Sequence, residues 1–123
     1  MIENNSESFI WSIKNGDLET ISKYIDSNPK IINNLIKGRT FLHYACDYGQ
    51  KDLIEYLLNR GANINIQDKY CITPLLAAIW ENHVSCVKLL LSKGASRTVK
   101  APDGRSLLES TDNEEIKRLL KAK

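Results

Sequence analysis

The 123-residue chain has little of what would declare a function at once. It has no excess of one charge: 17 basic and 15 acidic side chains leave a net +2, too little to point to nucleic acid or an acidic lipid surface. It has no long apolar run. The longest, about residues 74 to 80, is far below the roughly 20 residues that a membrane span needs. Cysteine is scarce and odd in number (Cys46, Cys71, Cys86), and the leading MIENNSES carries no basic residue. Neither a secretory nor a transit signal is expected, and a reducing intracellular compartment is. No nucleophile, base and orienting acid share a recognisable motif, no Cys/His spacing suits zinc, and no glycine-rich loop follows a strand. An enzyme, a metal and a cofactor are therefore not expected. At 42% hydrophobic and 26% charged, the composition is that of one globular domain over residues 1–123.

Glycine is also sparse, and its placement is informative. Gly16 and Gly49 are 33 residues apart, as are Gly61 and Gly94, while Gly38 and Gly104 are 66 apart. Where a glycine is missing from this register, Asn28 and Asn82 stand in for it, and asparagine is the side chain that best tolerates positive φ. The same conformation is expected there; Cys71 is the one break. Thr40 and Thr73, Leu42 and Leu75, Ala45 and Ala78, Leu57 and Leu90, and Ala62 and Ala95 keep the same period. Physically, one unit reads as a short helix over 40–48, a turn at Gly49, a second helix over 52–59 closed by Gly61, and an extended, turn-rich segment to 72. Such a unit cannot bury its own apolar face, so it must stack on neighbours. The expected units are 7–39, 40–72 and 73–105, with a six-residue lead and a polar cap over 106–123. A monomer is expected.

The period and the run Thr73-Pro74-Leu75-Leu76-Ala77-Ala78, with Thr40-Phe41-Leu42-His43-Tyr44-Ala45 in the preceding unit, resemble the ankyrin repeat. The implied fold is an all-α solenoid of helix-turn-helix units with projecting hairpin loops. Segments 9–18 (FIWSIKNGDL), 42–50 (LHYACDYGQ), 83–95 (HVSCVKLLLSKGA), 98–104 (TVKAPDG) and 110–120 (STDNEEIKRLL) are similar to the myotrophin family within that class. That resemblance implies binding to the heterodimeric actin capping protein, occlusion of its basic filament-gripping surface, and inhibition of barbed-end capping. It also implies, as an alternative, an adaptor for Rel/NF-kappaB-type transcription factors. The implied location is cytoplasmic, with access to the nucleus.

In such an array, repeat-constant positions build the fold and variable first-helix positions face a partner. The variable sets are Trp11, Tyr44 and Ala77; Lys14, Asp47 and Trp80; and Asn15, Tyr48 and Glu81. Four of the nine aromatics fall there. Trp11 and Tyr44 either pack between units or anchor a partner. Set against the basic surface that the resemblance implies, the expected binding residues are Trp11, Asp47, Tyr48, Trp80 and Glu81. The hairpin tips Lys69, Tyr70, Pro102 and Asp103 form a second zone, and Tyr70-Cys71 in place of Asp-Gly suggests a differently shaped finger. His43 and His83 read as structural, and Cys46 and Cys86 as core thiols. The basic run Lys88, Lys93, Arg97, Lys100 and Arg105 reads as a solvated face.

Overall fold

Two threonines 33 residues apart start two helices in the same way. Thr40 and Thr73 are extended, and each hydroxyl accepts a hydrogen bond from the backbone N–H three residues on, at 3.3 Å from His43 and 3.3 Å from Leu76. This satisfies one of the donors a helix start leaves free. They cap α3 (Phe41–Asp47) and α5 (Pro74–Trp80), and Pro74 occupies a first-turn position where its missing N–H costs nothing. Each short helix turns back into a longer one, α4 (Lys51–Asn59) and α6 (Val84–Ser92). Ahead of them lie α1 (Ile2–Lys14) and α2 (Leu18–Ser27), and behind them α7 (Glu114–Lys121). The computed structural model describes residues 2–122, with side chains from Glu7 onward. Among the described residues the only strand-like pairings are single bridges, Ile36 with Arg39 and Lys100 with Ser106. The expected all-helical stack is what forms, and α1 runs through the segment expected as a lead.

The positive-φ register holds at Asn82, with φ +59°, matching Gly49 at +69°. It fails at Asn28, whose φ is −139°. The next residue is Pro29, whose ring pushes its predecessor to extended backbone, and a 3₁₀ turn (Pro29–Ile31) follows. Cys71 keeps the glycine conformation at φ +65° without being glycine. Its finger is not the odd one. Asp68 N–H bonds to the Ile72 carbonyl and Cys71 N–H to that of Asp68, the pattern repeated by Ala101, Arg105 and Gly104. The finger that differs is the first, where Lys37 and Gly38 both have positive φ and form a two-residue hairpin between Ile36 and Arg39.

One contiguous core runs through the stack. Ser12, Ala45 and Ala78 hold the same register and are all buried, so small side chains let α1, α3 and α5 approach closely. On the second helices Ile21, Ile54 and Val87, and Leu57 and Leu90, are fully buried. Each large aliphatic side chain among them contributes about 1.5–3 kcal/mol by leaving water. At the first unit Phe9 closes the stack, its ring 4.3 Å from Tyr24 and 6.0 Å from Phe41. Cys46 and Cys86 lie in this core, where burial pushes both thiols up and keeps them protonated; Cys71 is exposed.

Candidate protein-binding face

The three first helices pack in sequence, α1 on α3 and α3 on α5, and the variable residues fall in or just after the last turn of each. Trp11 on α1 is 62% exposed, whereas Tyr44 in the same register is buried and its hydroxyl donates to the Ile36 carbonyl at 2.7 Å. The two alternatives for this pair therefore divide: Trp11 faces out, Tyr44 packs. Tyr48 follows α3 and is 37% exposed, and Trp80, the last residue of α5, is 44% exposed. Glu81, one residue on, is exposed at the helix C-terminus, where the backbone dipole disfavours a negative charge.

Asp47 is different from the free acid that its position suggests. Its carboxylate is gripped by both terminal nitrogens of Arg39, and its carbonyl accepts from His83 Nε2 at 2.8 Å. Arg39 also donates from Nε to Asp68 at 2.9 Å and lies 5.3 Å from the Tyr44 ring centre. Asp68 has no exposed side-chain surface. Burial opposes its charge, but the N–H groups of Ile72 and Tyr70 at 3.0 and 2.8 Å, with Arg39, outweigh that and hold its carboxyl below the usual value. Burial likewise works against the Arg39 charge, and the two carboxylates more than offset it. The group pins the end of α3 to the next finger.

His43 closes the same region as a neutral ring. Burial pushes its pKa down, Nε2 donates to the Ile72 carbonyl at 2.7 Å, and Nδ1 accepts from the Thr40 hydroxyl at 2.8 Å. His83 and Gln50 do one job in successive units, since Gln50 Nε2 donates to the Lys14 carbonyl at 3.0 Å just as His83 donates to Asp47. Both histidines are bonded as structural residues.

On the fingers, Tyr70 is exposed and the Lys69 ammonium sits 5.0 Å from its ring centre; Pro102 and Asp103 are exposed. The basic run is not one patch. Arg97 Nη1 donates to the Leu119 and Leu120 carbonyls at 2.7 and 3.2 Å and so caps α7, while Lys88, Lys93 and Lys100 are exposed. Arg39 and Asp68 were not among the residues expected at this face. Only Asp68 carried a signal, an aspartate two residues ahead of a turn tip whose N–H it accepts.

Stacked helix pairs with aromatic side chains left uncovered at one set of helix ends define a repeat-built protein-binding module. A family model for ankyrin repeats, in three copies, matches residues 9–101. Over 114 residues the chain is 53% identical to myotrophin of Xenopus tropicalis and 54% identical to myotrophin of Rattus norvegicus, in both cases covering 93% of this chain and 97% of the relative. Myotrophin of Homo sapiens is 53% identical at the same coverage. The chain belongs to the myotrophin family of ankyrin-repeat proteins.

Proposed function

We propose that this protein binds the heterodimeric actin capping protein and, by covering its basic filament-gripping surface, inhibits barbed-end capping and promotes filament growth. The observation that carries this reading is the exposure of Trp11, Tyr48 and Trp80 on or next to α1, α3 and α5, with exposed Glu81 following Trp80 in the chain. Exposed aromatics supply contact area at low entropic cost, and an acid placed against its own helix dipole serves a basic partner better than it serves the fold. Asp47 has a different part from Glu81. Held by Arg39, it offers a neutralised edge and positions Tyr48, the next residue, rather than lending a free charge. The protein acts by occupying a surface and performs no chemistry. It works in the cytoplasm with access to the nucleus; no described helix is long and apolar enough to cross a membrane.

Seeded actin elongation in the presence of purified capping protein tests this. Adding the protein should restore filament growth in proportion to its concentration. Unchanged growth at saturating protein would contradict the reading.

A further inference from the structure

The fourth unit lacks a full first helix, and this leaves the outer flank of Trp80 uncovered. In the register of 33, Ser106 stands where Thr73 starts α5, and its side chain and that of Glu109 bond reciprocally to each other's backbone N–H at 3.1 and 2.9 Å, as a helix start would. The helix then stops. It is one 3₁₀ turn, Leu108–Ser110, after which Thr111 is extended at φ −144°. Beside the end of α3 stands a complete α5; beside the end of α5 there is only the loop 110–113. An open groove of about 360 Å³ occupies the space, lined by Trp80, Asn82, Thr111, Asp112 and Asn113.

The one charged side chain lining that groove is Asp112, and Glu81 follows Trp80 in the chain. Thr111 Oγ1 is taken by the Asn113 N–H and Asn113 Oδ1 by the Ile116 N–H, so these polar side chains already serve the turn. Asp112 and Glu81 are exposed, and neither carboxylate has a salt bridge or side-chain hydrogen bond among the described residues. The next residues along the chain, Glu114 and Glu115, are also acidic, with Lys117 answering Glu114 at 3.9 Å. Trp80 lines the same groove and is 44% exposed. A flat π face beside an unpaired carboxylate suits a cationic side chain, and a guanidinium best of all, because it can stack and form a two-pronged bond at once.

We infer that the groove between Trp80 and the 110–113 loop receives one arginine side chain of the protein partner, stacked on Trp80 and paired with Asp112. The inference rests on the proposed function for the partner's identity, but the groove's preference for a guanidinium does not. Two arms separate them. In the first, calorimetry compares binding of purified capping protein by the wild type, Asp112→Asn and Trp80→Leu; each variant should weaken binding about tenfold, within the range of an aromatic or charged anchor at an interface. Asp112→Asn leaves the backbone bonds of the turn intact, so its helical signal and melting should match wild type.

The second arm needs no partner. N-acetyl-arginine-amide titrated into the 15N-labelled protein should shift the Trp80 indole N–H more than that of Trp11. The uncharged N-acetyl-citrulline-amide should not, and Asp112→Asn should abolish the difference. Equal shifts at both tryptophans, or the same response to both amides, would overturn the groove. If capping protein binds wild type and Asp112→Asn equally, the groove fails while the proposed function stands. If capping protein does not bind wild type but the arginine amide still selects Trp80, the proposed partner fails and the groove stands.

Discussion

The ends of α3 and α5 are equivalent by position and opposite in chemistry. Residues 47–48 and 80–81 are related by one repeat, yet the first pair is Asp-Tyr with its carboxylate locked to Arg39 and its carbonyl to His83, and the second is Trp-Glu with neither side chain committed. Part of the difference follows from what stands next in the stack. Beside α3 a complete unit supplies His83, and Asp68 in the intervening finger completes the grip of Arg39; beside α5 the truncated unit supplies only a loop. The positions themselves differ too: Arg39 stands ahead of α3 where Ile72 stands ahead of α5, so one inter-unit position is structural and the other available through changes in both the residue and its neighbours.

The strongest way to break this comparison is to remove Arg39. Arg39→Ala leaves the Asp68 carboxylate buried without its cation and should lower stability by about 3 kcal/mol in urea denaturation. Glu81→Gln, at the opposite end of the comparison, should stay within about 0.5 kcal/mol of wild type. A loss from Arg39→Ala no greater than that from Glu81→Gln would erase the distinction.

A smaller effect is expected at the turns that follow. Gly49 and Asn82 share the left-handed backbone, but a Cβ on Gly49 would lie 2.8 Å from His83 Nδ1. Gly49→Ala should cost about 2 kcal/mol from backbone strain and displacement of the ring. Asn82→Gly should change stability by only a few tenths of a kcal/mol, because its backbone already suits glycine. Melting both variants beside wild type checks this.

The smallest expected effect concerns pH. His43 has a folded pKa below its ordinary 6.5, so the unfolded chain binds more protons. Its contribution is therefore full above pH 6.5 and is lost as pH falls toward the folded value. Asp68, also depressed, adds a second loss as pH falls below 3.8. Denaturation midpoints should decline on acidification from pH 7 to 5, and His43→Gln should flatten that decline.

Much of the fold is legible in the sequence because the glycine, threonine and alanine positions each answer a local requirement: a left-handed turn, a helix cap, a close helix approach. Asn28 escaped that reading because the constraint came from its neighbour Pro29, a local rule that outranks the register. The proposed binding face is read from its aromatics in the same way: a tryptophan that breaks the repeat is not needed by it. The state of Asp47 was hidden. Arg39 and Asp68 flank it at separations of 8 and 21 residues that follow no period, and they meet only when the finger folds back over α3. Tyr44 was undecidable from its register alone, since Trp11 shares it, and only the carbonyl of Ile36 within reach of its hydroxyl separates the two.

The most direct test of the exposed face is calorimetric titration of purified capping protein with wild type and with the Trp11→Ala/Trp80→Ala double variant, each checked for helical content and cooperative melting. Wild type should bind one heterodimer, and the double variant should lose about a hundredfold or more in affinity while melting as wild type does, as expected for two aromatic anchors removed from a surface the fold does not use. Equal binding by the folded double variant would contradict the assignment of this face.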